Sequence, residues 1–546
     1  MVRGSLLADV VPLNSLKTMR KSLIILSAVL CAGSAGAGAY RNPVLPGFHP
    51  DPSICRDGKD YYLATSTFEY YPGVPIYHSR DLVHWKLAGH ALSTPSQLPL
   101  AGQKSSMGIF APTLRCANGR FTMITTNVGA GGNFIVHADN PAGPWSEPVP
   151  VKVEGIDPSL FFDDDGKVYL THEEGGEHGG IAQVEIDVAT GQSKGEHKRI
   201  WNGTGGIWPE GPHLYKINGW YYLLHAEGGT SYGHTVILAR SRSPWGPFEG
   251  APDNPILSHR HLPGQSLQAL GHADLVQTPE GKWFMVMLGV RPLNFKHHIG
   301  RETMLAPVEW TADGWLKING GAPLAETMEA AGLPPSQPWP AAPVRDDFGG
   351  ATLGPDWIFL RGPAKELWSL TEKPGVLRLK GSPLSLADIG TPAFVGRRQE
   401  DLHMRAATLL DFAPRAKGQE AGLALRVNED NHYQLLVAGT GKGRVVRLLT
   451  RVKGVSRVVR EAALGPGKVE LIVRGQPDRY VFGYRIGGRE VADFGSAPTA
   501  PLSSEEAGGF TGVVIGMVAH APDRAAMPPA DFEWFDYQPA DAGRQH

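Results

Sequence analysis

Three carboxylates recur at equivalent places in the chain. Asp51 opens Asp51-Pro52-Ser53-Ile54, Asp157 opens Asp157-Pro158-Ser159-Leu160, and Glu210 opens Glu210-Gly211-Pro212-His213-Leu214. A turn dipeptide follows each of them: Asp57-Gly58, Asp165-Gly166 and Asn218-Gly219. An apolar run comes next: Tyr61-Tyr62-Leu63, Val168-Tyr169-Leu170 and Tyr221-Tyr222-Leu223. Acids gathered at one partly buried mouth repel one another and lose hydration. A structural role alone is a costly explanation for them. Carboxylates in such surroundings are suited to proton transfer.

The elements that must position these acids follow from two further copies of the pattern. Ala111-Pro112-Thr113-Leu114 precedes Asn118-Gly119 and Phe121-Thr122-Met123, and His272-Ala273-Asp274-Leu275 precedes Glu280-Gly281 and Phe284-Met285-Val286. Each unit reads as a strand, a tight hairpin and a second strand. Outer-strand signatures also recur, at Ser79-Arg80-Asp81-Leu82, Gly143-Pro144-Trp145, Gly246-Pro247-Phe248 and Asp313-Gly314-Trp315. Five such units predict a five-bladed β-propeller over residues 40–331, with its anchor residues around one central opening. A Pro-rich linker, 332–345, leads to a second all-β domain, 346–540, whose alternating strands read as a β-sandwich.

Composition agrees. Of 546 residues, 68 are Gly and 45 are Pro, charged residues make up only 19%, and 13 are Trp. This excludes a disordered or collagen-like chain and disfavours long helices. The 52 basic and 54 acidic residues nearly cancel, so neither nucleic acid nor an anionic membrane is an expected partner, and a neutral polar ligand is. Arg20 and Lys21, the apolar run Leu23 to Ala32 and the small-residue run ending Ala37-Gly38-Ala39 read as a signal peptide over 1–39, which predicts export to the periplasm or the medium. Cys55 and Cys116 are too few for a disulfide framework and read as two buried free thiols, with a single bridge as the alternative. Gly229-Thr230-Ser231-Tyr232-Gly233 fits the nucleophile-elbow spacing, but β-like runs flank it on both sides, so it reads as a hairpin loop. Asp163-Asp164-Asp165-Gly166 lacks the spacing of a calcium loop, and His297-His298 has no companion ligands for zinc.

The segment from Asn42 to Ile54, reading NPVLPGFHPDPSI, resembles the opening of glycoside hydrolase family 43, and within it the β-xylosidase group. The likeness continues through Thr65-Ser66-Thr67-Phe68-Glu69, Pro72-Gly73-Val74-Pro75, Gly155-Ile156-Asp157-Pro158-Ser159, Trp208-Pro209-Glu210-Gly211-Pro212 and Gly300-Arg301-Glu302-Thr303. The C-terminal region is similar to that group's concanavalin-like β-sandwich. The resemblance implies an inverting exo-hydrolase that needs no cofactor. It would release xylose, with or without arabinofuranose, from xylo-oligosaccharides or arabinoxylan fragments.

Residue by residue, the resemblance implies that Asp51 is the general base, Glu210 the general acid and Asp157 the carboxylate that tunes the acid. Such chemistry needs one carboxylate to activate water and one carboxylic acid to protonate the leaving oxygen. His272 would lie under the substrate, where some members hold a calcium or sodium ion, and Arg301 would contact sugar hydroxyls. Phe68 and Phe110 would pack on the apolar faces of the sugar; at Phe110 the group more often has Trp. Phe510 would reach from the sandwich and close one end of the site. Two other readings compete. A retaining fructan-type hydrolase would open with Asn-Asp-Pro-Asn where this chain has His49-Pro50-Asp51-Pro52-Ser53. A non-catalytic sugar-binding protein would not need all three carboxylates.

Overall fold

The computed structural model describes residues 38–117 and 119–539. Frequent turn-formers between short β-branched and aromatic runs give a nearly all-β chain. Among the described residues the one α-helix is a single turn, Ser504–Ala507.

Five antiparallel sheets make up the N-terminal domain, which is a β-propeller. Their first strands are Ser53–Asp57, Thr113–Ala117, Ser159–Phe162, Glu210–Ile217 and Gln268–Gln277. Each sheet has four strands in sequence order, and the fourth carries an extra short strand, Leu257–Ser258. The hairpins form where the turn dipeptides predict them, pairing Asp57 with Asp60, Phe162 with Val168 and Ile217 with Trp220. Asn118, expected in the second turn, lies outside the described residues. The first strand of each blade neighbours that of the next, and the fifth neighbours the first.

One buried ion pair ties these inner strands together. Arg115 Nη1 of the second blade donates to Asp274 Oδ2 of the fifth at 2.9 Å. The same oxygen accepts the Ser53 hydroxyl (2.8 Å) and the Ile54 amide (3.0 Å) of the first blade, and Tyr215 of the fourth donates to the other oxygen at 2.5 Å. Arg115 also donates to the Leu160 carbonyl of the third blade and to His213 Nδ1 of the fourth. Asp274 is wholly buried, and these partners outweigh its desolvation and hold it strongly ionised.

The C-terminal domain stacks an eight-stranded sheet and a six-stranded sheet over a core that includes Phe412, Leu423, Tyr433, Leu435, Phe482 and Phe532. A second apolar cluster joins the domains. Phe48, Phe68 and Tyr70 of the propeller pack with Ile358, Phe394, Leu436 and Val514 of the sandwich, and Tyr70–Tyr71 pairs as a strand with Phe359–Leu360. Beside it, Arg426 donates to Glu69 Oε1 (3.4 Å), Ser105 Oγ (2.7 Å) and Glu429 Oε1 (3.1 Å), while Arg361 binds Glu429 as well. Both Glu69 and Arg426 are fully buried.

Two sequence expectations meet the structure differently here. The free-thiol reading of Cys55 and Cys116 is overturned: the two are disulfide-bonded, with Cα atoms 5.6 Å apart. Counting cysteines ignores that adjacent blades lay their first strands side by side, which brings together residues 61 apart in sequence. Of the expected export segment, 1–37 lies outside the described residues, whereas Gly38 and Ala39 open a strand, Gly38–Arg41, paired with Thr327–Ala330. Among the described residues no helix is long and apolar enough to cross a membrane.

Candidate active site

Left-handed backbone recurs just before or within the inner strands. Asp51 has φ 54°, Asp157 φ 53° and His272 φ 48°, and in the fourth unit the same conformation falls on Gly211, φ 58°. For a non-glycine residue this costs of order 1–3 kcal/mol and persists where the surroundings enforce it. At Gly211 a side chain is also excluded by space, because a Cβ there would lie 2.9 Å from the His272 ring.

These turns bring the three carboxylates together. Asp51 accepts from Arg301 Nη1 at 2.8 Å and from the Ser66 hydroxyl at 2.5 Å. His272 Nδ1 sits between two acids, 3.8 Å from Asp51 Oδ1 and 3.9 Å from Asp157 Oδ2. Asp157 Oδ2 accepts the Gly211 amide at 3.1 Å, which fixes it beside Glu210. Glu210 is the most open of the three, its side chain 17% exposed, and its Oε1 lies 3.8 Å from His234 Nε2.

Their surroundings separate their proton affinities. Burial alone would raise Asp51, but Arg301, His272 and the Ser66 hydroxyl outweigh it and hold the carboxyl below its ordinary range. Burial and the negative charge of Asp51 push Glu210 up to about 8. Burial, Glu210 and Asp51 push Asp157 well up, against the Gly211 amide. Asp157 and Glu210 titrate as a pair, since the first to ionise opposes the second. The arrangement at neutral pH is therefore one ionised carboxylate, Asp51, facing a protonated carboxyl.

An aromatic wall stands beside this cluster. The ring of Phe68 lies 5.2 Å from that of Phe110 and 5.8 Å from that of Phe510, with Phe110 and Phe510 5.9 Å apart. Phe68 is 1% exposed and backs the wall, whereas Phe510 is 37% exposed. Phe510 is held at both ends of its peptide: its amide donates to Ser106 Oγ at 2.8 Å, and its carbonyl accepts Arg301 Nη2 at 3.5 Å. Ser106 in turn donates its amide to Glu69, so the buried interdomain ion pair supports this contact.

All eight residues singled out from the sequence thus fall in one connected site. Sequence reasoning passed over Ser66, Thr230 and His234. Ser66 stands within the segment Thr65-Ser66-Thr67-Phe68-Glu69. Thr230 lies in the loop that matched the nucleophile-elbow spacing. That loop joins antiparallel strands Trp220–Glu227 and Thr235–Ser241, and Thr230 Oγ1 accepts from Arg301 at 3.1 Å. The Asp163–Gly166 segment is a hairpin turn closed by Gly166 N to Asp163 O, and His297 bonds to Glu505.

Among the described residues no group of three or more His, Cys, Asp or Glu side chains is arranged to hold a metal ion. Beside His272, Asp51 accepts from Arg301 and Ser66, and Asp157 Oδ2 accepts from the Gly211 amide.

Known proteins share this architecture. Residues 40–316 match the family described as glycosyl hydrolases family 43, and residues 345–538 match the beta xylosidase C-terminal concanavalin A-like domain. A non-reducing end alpha-L-arabinofuranosidase of Bacteroides ovatus is 46% identical over 95% of this chain and 98% of its own. A xylosidase/arabinosidase of Butyrivibrio fibrisolvens is 40% identical over 90% of this chain and 98% of its own. The solved structure of xylan beta-1,4-xylosidase from Bacillus halodurans C-125 superposes with a TM-score of 0.87 at 37% identity, covering 91% of this chain and 100% of that one. The chain belongs to glycoside hydrolase family 43.

Proposed function

We propose that the protein is an inverting exo-glycosidase that releases xylose, and arabinofuranose where it is presented, from xylo-oligosaccharides or arabinoxylan fragments. The observation that carries this is the division of proton affinity within one site: Asp51 held down, Glu210 pushed up to about 8. In this reading Asp51 takes a proton from water as its oxygen attacks the anomeric carbon. Glu210 delivers its proton to the glycosidic oxygen as that bond breaks. Burial and the Asp51 charge, rather than Asp157, keep Glu210 protonated, while Asp157 is itself held protonated beside it and is fixed by the Gly211 amide. Phe510 and Arg301 close one end of the pocket, which favours terminal sugars over internal ones.

The names of the relatives support both sugars: the Bacteroides protein is named for arabinofuranose and the Bacillus one for xylose. Parallel hydrolysis of nitrophenyl xyloside, nitrophenyl arabinofuranoside and xylobiose tests the substrate class. The anomer of released xylose, followed by NMR, tests the stereochemistry. Retention at the anomeric carbon, or binding without turnover, would sink the reading.

The pH profile is a sharper check. With the base low and the acid near 8, kcat/KM should hold through neutrality and fall as pH rises past about 8. Asp157 is itself neutral in this range, so Asp157→Asn should leave the alkaline limb in place. A limb that moves to lower pH would show that Asp157 ionises first and that its charge raises the acid.

The protein is also expected to be exported. The charged and apolar N-terminal run supports this, as does the Cys55–Cys116 bridge, which persists in oxidising compartments. Intact-mass measurement of protein recovered from outside the cytoplasm should give a chain beginning at Tyr40. Recovery only inside cells, with the first 39 residues retained, would refute it.

A further inference from the structure

Two polar atoms in the site are buried without a hydrogen-bond partner: Nε2 of His234 and Nε of Arg301. They are opposite in sense. His234 Nδ1 lies 3.1 Å from the Ala269 carbonyl, which only accepts, so Nδ1 carries the proton and Nε2 presents a lone pair. Burial and the neighbouring His272 hold this imidazole down at about 3, so the lone pair persists at working pH. Arg301 Nε is a permanent donor, and its other nitrogens are engaged with Asp51, Thr230 and the Phe510 carbonyl.

The ring of His234 has no freedom to look elsewhere. It is fully buried, and a Cβ on Gly271 would come within 2.4 Å of it, so the glycine leaves just the room the ring occupies. Nε2 is 3.8 Å from Glu210 Oε1, too long for a hydrogen bond. Native proteins leave few buried acceptors unpaired, because the lost hydration is not recovered. An acceptor and a donor left open beside a proton-transfer pair match a hydroxyl, which both donates and accepts.

Resting on the glycosidase reading above, we propose that His234 is a substrate-binding residue. Its Nε2 accepts a hydrogen bond from one hydroxyl of the pentose held between Asp51 and Glu210. A neutral imidazole locked in this tautomer cannot donate from Nε2, so it selects for a hydroxyl and against a group that only accepts. It reads the sugar being released rather than the one that leaves with the aglycone.

The test is a cycle between enzyme and substrate variants. His234→Asn retains a donor for Ala269 and has no atom at the Nε2 position; His234→Phe keeps the ring shape and removes both nitrogens. Nitrophenyl pentoside and its monodeoxy analogues, one for each ring hydroxyl, are compared by kcat/KM. Wild type should lose roughly 10–100-fold on removal of one particular hydroxyl. Both variants should lose a similar factor on the parent sugar and be indifferent to that same hydroxyl, while the other deoxy penalties stay as in wild type. Deoxy penalties identical in wild type and variants would overturn the proposal. So would an altered alkaline limb with unchanged penalties, which would make Nε2 a partner of Glu210 instead.

Should neither variant fold, the wild type itself still decides. The His234 Nε2 resonance in histidine-labelled protein should shift on saturation with the released pentose, and an unmoved resonance would refute the contact. Wild-type inactivity on every pentoside would instead remove the glycosidase reading, a different outcome from unchanged deoxy ratios in an active enzyme.

Discussion

Glu210→Ala should lower kcat/KM on xylobiose by about 10²–10⁴-fold, the usual worth of a positioned general acid. The loss should depend on what leaves. A sugar alkoxide cannot depart without a proton, whereas a nitrophenolate is stable without one. On nitrophenyl xyloside the same variant should lose roughly tenfold or less. Its alkaline limb near 8 should disappear as well, since Glu210 itself titrates there. Activity on xylobiose equal to wild type would remove Glu210 from the acid role. An equal loss on both substrates would point to a collapsed site instead.

Asp51→Asn should be as damaging and respond in the opposite way. Activating water is required whichever group leaves, so xylobiose and nitrophenyl xyloside should both fall by about 10²–10⁴-fold. The asparagine Oδ1 can still accept from Arg301 while its Nδ2 donates to Ser66 Oγ, which keeps both partners in place while removing the basic oxygen. A leaving-group-dependent loss in this variant would exchange the roles of the two carboxylates. Steady-state kinetics on the two substrates therefore distinguishes acid from base without a bound structure.

Much of this site is legible in the linear sequence because the propeller writes its geometry locally. Asp57-Gly58 and Asp165-Gly166 form hairpins from short-range turn chemistry, and the strand entry preceding each hairpin is placed by the repeat. Asp51, Asp157, Glu210 and His272 could be aligned that way. What escaped lies between blades or between domains. Cys55 pairs across a blade boundary, and Arg115 reaches Asp274 across 159 residues. His234 stands one residue before the third strand of its blade, where no repeated anchor marks it. Its only sign is a ring nitrogen left without a partner, and that exists only once the chain is folded. Ser66 and Thr230 are ordinary hydroxyl residues whose importance comes from what reaches them, Asp51 and Arg301.

The buried Glu69–Arg426 pair carries a consequence for how such an enzyme can change. One charge belongs to the propeller and the other to the sandwich, and losing either strands its partner away from water at a cost of about 3–5 kcal/mol. Ser106, bonded to Glu69, also fixes Phe510 at the pocket wall. The shape of the pocket is thus written jointly in two domains that look separable on paper. Neither can drift or be exchanged alone at this seam; they travel through sequence space as a matched pair.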